Sequence, residues 1–195
     1  MNNYTRRLVL PIDEVVWHIN QRIEAETMYN AGLPRRNVIH GYEVGVTSIR
    51  LRTFARDAGD LRCAHCGIEG KFFSIDSHRD QLDYTHLNLY AIDNKDEEVL
   101  MTCDHILARG LGGEDDLSNT QVLCSPCNAI KSAQESRVSN EIRRRLDILM
   151  HSVKLCGLLH HDEARALLEK WVVIMNDPAR YPSDKPCKRP VTATS

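Results

Sequence analysis

The chain has 195 residues, 42% of them hydrophobic and 27% charged, with a net charge of −2 at pH 7. That is room for one ordinary domain or two small ones. It excludes a collagen, a coiled-coil rod or a wholly disordered chain, and no run approaches the ~18 apolar residues of a membrane span. Aromatic residues make up only 6%, so the core must be largely aliphatic. The near-neutral total hides a pattern: residues 1–62 carry +2, residues 63–133 carry −7 and residues 134–195 carry +3. An acidic middle repels a nucleic-acid backbone unless a cation offsets it, and basic flanks supply attraction.

Residues Ile12 to Tyr29 read as a helix, with Ile12, Val15, Val16, Ile19 and Ile23 at helical spacing, Pro11 at the start and Gly32 past the end. Leu33 to Gly45 reads as loop. Thr47 or Ser48 caps a second helix reaching about Asp57, with Ile49 and Phe54 turned inward. His86–Tyr90 and Val99–Thr102 read as short strands joined through Asp93-Asn94-Lys95 as a hairpin. Ile106 to Ser118 is loop around Gly110 and Gly112-Gly113. Thr120–Leu123 is another strand, and a helix starts near Ser125 and runs past Lys131. Two more helices follow Ser136: one carries Ile142, Leu146, Leu149 and Val153 beside Arg143, Arg144 and Arg145, and the other starts at Asp162 and carries Leu167, Leu168, Trp171, Val172 and Met175. The implied organisation is an N-terminal helical region at 1–46, a compact module at 47–133, a C-terminal helical hairpin at 134–178 and a flexible tail at 179–195.

Seven cysteines without a secretory signal point to a reducing compartment, and so to the cytoplasm. Four of them form two hooks, Cys63-Ala-His-Cys66 and Cys124-Ser-Pro-Cys127. Each spacing lets one tight turn present two sulfurs, and four thiolates at about 2.3 Å make a closed structural zinc site. A redox role for either pair would call for a βαβ context, which is missing. His65 lies inside the first hook, but four sulfurs already fill the site. Cys103, Cys156 and Cys187 read as ordinary free thiols.

Between and after the hooks stand Asp104-His105, Gly112-Gly113, Asn119, Asn128 and Lys131. This run resembles the HNH endonucleases, whose core is two strands, a loop and a helix around one divalent cation. It is most similar to phage-type members in which a tetracysteine zinc site staples that ββα-metal motif, and the Cys-x-x-Cys-Asn-x-x-Lys ending is part of the likeness. The likeness spans about residues 47–133. It implies an α+β fold: a small, zinc-stapled, treble-clef-like module flanked by helical segments.

The resemblance also implies a reaction, the hydrolysis of DNA phosphodiesters. Asp104 and Asn128 would supply oxygen ligands to Mg²⁺ or Mn²⁺, the hard ions such donors select. His105 would take a proton from the attacking water. Asn119 would orient that imidazole, and Lys131 would touch a phosphate. Asp104 and His105 are adjacent, so on a regular strand they face opposite ways. Three positions depart from the family pattern. Asn128 stands where some relatives carry a second histidine, Ala108 replaces a common proline, and Cys103 replaces a frequent basic residue.

Arg143, Arg144 and Arg145 could bind DNA backbone or form a plain solvated helix face, and Arg50, Arg52 and Arg56 share that ambiguity. His78, His86, His160 and His161 read as surface or strand histidines, and the acidic segment Asp93–Glu98 as a solvated hairpin tip. The expected partner is DNA, with no membrane involvement. The flanking helices could pair two copies of the chain, dock another protein or fold against the module. The alternative to an enzyme is a zinc-stapled DNA-binding or docking module without turnover.

Overall fold

A computed structural model describes residues 4–29, 36–78 and 81–156. The expected helix at 162–175, the tail at 179–195, His160, His161 and Cys187 lie outside them. The protein is a mixed α+β fold. Strand β1 (Tyr4–Leu10) leads into helix α1 (Ile12–Tyr29), then strands β2 (Arg36–Ile39) and β3 (Tyr42–Gly45) and helix α2 (Ile49–Arg56). Strands β4 (Gly70–His78), β5 (Gln81–Ile92), β6 (Glu98–His105) and β7 (Thr120–Cys124) follow, and helix α3 (Ser125–Cys156) closes the described chain. No helix among the described residues is long and apolar enough to cross a membrane.

The seven strands run in the order β1-β4-β5-β3-β2, with β6 pairing β5 and β7 pairing β6. Strand β5 is the hub. One edge takes β4 along most of its length; the other meets β3 in parallel at Thr85 and β6 antiparallel from Tyr90 to Ile92. The β5–β6 turn forms where the sequence predicts it. Asp93 Oδ1 accepts from the Lys95 and Glu97 amides at 2.9 and 2.8 Å, and Asp96 takes a positive φ of 59°. Asp93 is therefore spent on its own turn.

Two parts of the N-terminal region differ from the sequence expectation. Residues 36–45 are a hairpin rather than a loop, turning on His40 and Gly41 with φ of 49° and 82°. Two central residues with positive φ match the right-handed twist of the strands, but a histidine at the first is a poor sequence signal. Strand β1 is likewise unexpected, because Arg6 and Arg7 break its apolar alternation. A bulge lies between Arg6 and Leu8, and the two arginines bond Ser74 and Ser77 on β4 at 3.1 and 2.8 Å. The region expected to be helical thus holds one helix and contributes three strands to the common sheet.

One cluster of buried apolar residues unites these elements. It takes Leu10, Val15 and Ile19 from the start of the chain, Leu51 and Phe54 from α2, and Phe73, Ile75, Leu87, Leu89, Met101, Val122 and Leu123 from the strands. Phe54 meets Phe73 edge-on at 6.0 Å. Ser48 caps α2, accepting from the Leu51 amide at 3.4 Å. Strand β4 escaped sequence detection because Ser74, Asp76 and Ser77 are buried polar residues. The Asp76 carboxylate accepts from Ser74, Asn88 and Tyr90 at 2.5, 2.8 and 2.7 Å, so its burial leaves nothing unsatisfied. His78 and His86 stand in strands and face the Tyr4 ring edge-on.

Helix α3 spans 32 residues without a break. The sequence reading places one helix after Ser125 and another beyond Ser136. The structure joins them, because no glycine or proline interrupts the run after Pro126.

Candidate active site and metal centre

The first hook is built by backbone bonds. Cys63 N–H donates to Ile68 O at 2.8 Å and Gly67 N–H donates to Cys63 O at 2.9 Å, closing a tight turn with Gly67 at φ 75°. The Ala64 amide reaches Val122 O at 2.9 Å and ties this turn to β7. The second hook spans the end of β7 and the first turn of α3. Together they bring the sulfurs of Cys63, Cys66, Cys124 and Cys127 within 4.8 Å of one another, and Cys66 Sγ lies 3.6 Å from Cys124 Sγ. A tetrahedral zinc site with bonds of about 2.3 Å has sulfur edges of about 3.8 Å, so the set fits zinc with little movement. Cys63, Cys124 and Cys127 are buried within the apolar cluster. A hydrogen bond with Cys124 holds the Cys63 thiol down at about 4, and the same contact, with burial, pushes Cys124 up. Four sulfurs this close are soft donors that suit a thiophilic divalent ion. The His65 ring stands outside the sulfur set, with Nδ1 3.5 Å from Cys127 Sγ.

Asp104 and His105 are the last two residues of β6, opposite Gln121 and Thr120 on β7. Their side chains diverge. The Asp104 carboxylate is largely buried, accepts from Gln121 Nε2 at 3.0 Å, and lies 2.9 Å from Lys131 Nζ. The His105 ring reaches into the following loop, where its Nε2 lies 2.8 Å from Asp115 Oδ1. Lys131 bridges the two residues, since its Nζ also donates to the His105 carbonyl at 2.7 Å and pairs with Glu135. Asn128 is half-buried, one turn before Lys131, and shares its helix face. No described residue hydrogen-bonds its side-chain amide.

Asn119 holds the loop rather than the ring. Its Oδ1 accepts from the Leu107 amide at 2.9 Å, and its Nδ2 donates to the Leu107 and Glu114 carbonyls at 3.0 and 2.8 Å. Its own carbonyl accepts from the Ile106 amide at 2.8 Å. The group on the His105 ring is Asp115, which the sequence reading did not single out. An Asp in a Gly-Gly-Glu-Asp-Asp run looks like ordinary loop polarity, so no pattern marks it. Gly113 is required here: a Cβ would stand 1.8 Å from Leu107 O.

Helix α2 braces this site. Thr53 Oγ1 lies 2.8 Å from Thr120 Oγ1 in a buried contact, and Arg56 donates to the Thr120 and Leu117 carbonyls. Thr120 is the partner of His105 across the β6–β7 pair. Arg50 binds Leu87 O and Asn88 Oδ1, and Arg52 pairs with Glu26. The three α2 arginines are thus used inside the fold, and burial lowers the Arg50 pKa. Arg144 and Arg145 are exposed and pair with Glu141; Arg143 is exposed on the same helix.

Residues 92–134 match the HNH endonuclease family. The match takes in β6, the loop with Asp115 and Asn119, β7 and the first turns of α3 as far as Lys131; Thr53 and Arg56 on α2 and Glu135 lie outside it. Such a domain points to nuclease-type activity. No curated protein and no solved structure matches the chain.

Proposed function

We propose that the chain is an endonuclease that hydrolyses DNA phosphodiester bonds through a ββα-metal site made by β6, β7 and α3. The observation that carries this reading is the placement of Asp104 and His105 at the end of β6, tied to α3 through Lys131, with four sulfurs gathered where β7 meets α3, inside the stretch that matches the HNH family. The tetrad would hold structural zinc. Asp104 and the Asn128 amide oxygen would hold Mg²⁺ or Mn²⁺. Two features of the chain fit a hard cation there: the Asp104 carboxylate already draws an ammonium group to 2.9 Å, and the Asn128 amide has no competing bond among the described residues. Such an ion offsets charge on the attacked phosphate and on the leaving oxygen.

The chain's own residues account for the remaining steps. With Nε2 turned to Asp115, the His105 ring offers Nδ1 as the proton acceptor. A water gives its proton to Nδ1 as its oxygen bonds to phosphorus, and the opposite phosphorus–oxygen bond breaks. The leaving oxygen takes a proton from solvent. Lys131 releases Asp104 and contacts the phosphate. Arg143, Arg144 and Arg145 lie on an exposed stretch of α3, where they would add backbone attraction.

The test is cleavage profiling of the zinc-loaded protein on duplex, single-stranded and branched DNA, with Mg²⁺ and Mn²⁺ varied. Metal-dependent nicking of at least one substrate is expected. Binding to DNA with no cleavage of any substrate would replace this reading with that of a binding module.

A further inference from the structure

We infer that Asp115 is the positioning residue for the His105 imidazole, and that Asn119 acts on the histidine through Asp115. The inference deepens the proposed function and rests on His105 being the base.

A neutral imidazole can accept a proton only if the lone pair on one nitrogen faces the water and the proton sits on the other. Nothing in the ring itself fixes that choice; a partner must. Asp115 Oδ1 lies 2.8 Å from Nε2, and an ionised carboxylate only accepts, so Nε2 carries the proton. Nδ1 is left with no bond to any described residue.

Asp115 is half-exposed on a loop, yet the backbone on both sides of it is pinned. On one side the Glu114 carbonyl accepts from Asn119 Nδ2 at 2.8 Å, and Gly113 N–H donates to Ala108 O at 3.0 Å. On the other, Asp116 accepts from the Ser118 amide and hydroxyl at 2.8 and 2.6 Å, and its carbonyl accepts from the Asn119 amide at 3.0 Å. Those bonds hold the Asp116 carboxyl below its ordinary range, so it stays an acceptor. Asn119 therefore clamps both flanks of Asp115 and also the Leu107 backbone, two residues past His105. One residue, through its side-chain amide on Glu114 and Leu107 and its backbone amide on Asp116, holds the loop that sets the distance between the carboxylate and the ring.

The experiment joins two measurements on the zinc-loaded full chain. Ring-nitrogen NMR of ¹⁵N-histidine-labelled protein should show His105 with its proton on Nε2. In Asp115→Ala the signals should move toward the averaged pattern of a free neutral imidazole, and kcat for DNA cleavage should fall about 10–100-fold with KM unchanged. Asp115→Asn keeps an acceptor oxygen, so it should retain the ring pattern and part of the rate. A wild-type rate in Asp115→Ala overturns the inference while leaving the base in place. So does a slowed Asp115→Ala whose ring pattern is unchanged, since the carboxylate would then act elsewhere. A fully active His105→Ala overturns the base itself, and the inference with it.

Discussion

Lys131 Nζ sits 2.9 Å from Asp104 Oδ2, with the lysine on α3 and the aspartate at the end of β6. Both side chains are mostly shielded, at 24% and 12% exposure. The ammonium thus stands at the carboxylate proposed to hold the catalytic cation. If Asp104 holds that cation, two positive charges compete for one carboxylate, and the ion has to displace the ammonium group.

Removing that competitor should strengthen metal binding. Lys131→Met is expected to bind Mn²⁺ about three- to tenfold more tightly by calorimetry, with a raised KM for DNA because a phosphate contact is lost. Weaker Mn²⁺ binding in a variant that melts normally would show that the lysine does not occupy the ion's place.

Zinc removal should be far more damaging. Structural zinc contributes roughly 10–16 kcal/mol of apparent binding energy, against a net stability of about 5–15 kcal/mol for a domain of this size. Three of the four cysteines belong to the shared apolar cluster, so the loss should spread beyond residues 63–133 to the common sheet. Chelation, or Cys127→Ser, is expected to abolish the cooperative melt. A chelated sample with unchanged circular dichroism and Tm would contradict the tetrad's structural role.

Gly113 leaves no room for a side chain, since the nearest backbone oxygen would be 1.8 Å from a Cβ. Gly113→Ala must push Leu107 and Asn119 apart, at about 1–3 kcal/mol. Cleavage should fall along with stability, because the displaced loop carries Asp115. A melting curve and rate equal to those of the unmodified protein would show that the loop relaxes freely.

The first strand is tied to the β6 strand by the Arg6–Glu98 pair, with two parallel contacts at 2.7 and 2.6 Å and the guanidinium 5.1 Å from the Phe72 and Tyr90 ring centres. The hydrogen bond from Arg6 lowers the Glu98 pKa below its ordinary value. A carboxylate lowered in the folded state adds stability above its unfolded pKa, and that stability is lost as pH falls through the folded value. Both groups are over a third exposed, so screening limits the contribution to about 0.2–1 kcal/mol. Glu98→Gln should therefore lower Tm slightly at pH 7 in low salt, and by less in about 1 M salt, where exposed charges are screened. An equal deficit at both salt concentrations would rule out the charge pair as its source.

Much of the site is legible in the sequence because its chemistry demands particular residue types at short spacing. The two hooks, Asp104-His105, Asn119 and the helix carrying Asn128 and Lys131 all lie within one polar stretch. What stays hidden depends on packing across the chain. Strand β4 buries serines and an aspartate, and the arginines on β1 bond partners on β4, so neither shows a strand's alternation. The hairpin at 36–45 turns on a histidine. Thr53 and Arg56 touch Thr120 on β7 through contacts more than 60 residues apart in the chain, which no local pattern encodes. The link between Asp115 and His105 is likewise a product of loop closure.

The central claim is that His105 activates the water that cleaves DNA. Its most direct test is the nicking of supercoiled plasmid in Mg²⁺ or Mn²⁺ by the zinc-loaded protein and by His105→Ala, matched for zinc content and melting temperature. The account predicts a rate loss of about 10²–10⁴-fold in the variant, the range of a general base. Undiminished nicking by His105→Ala would contradict it.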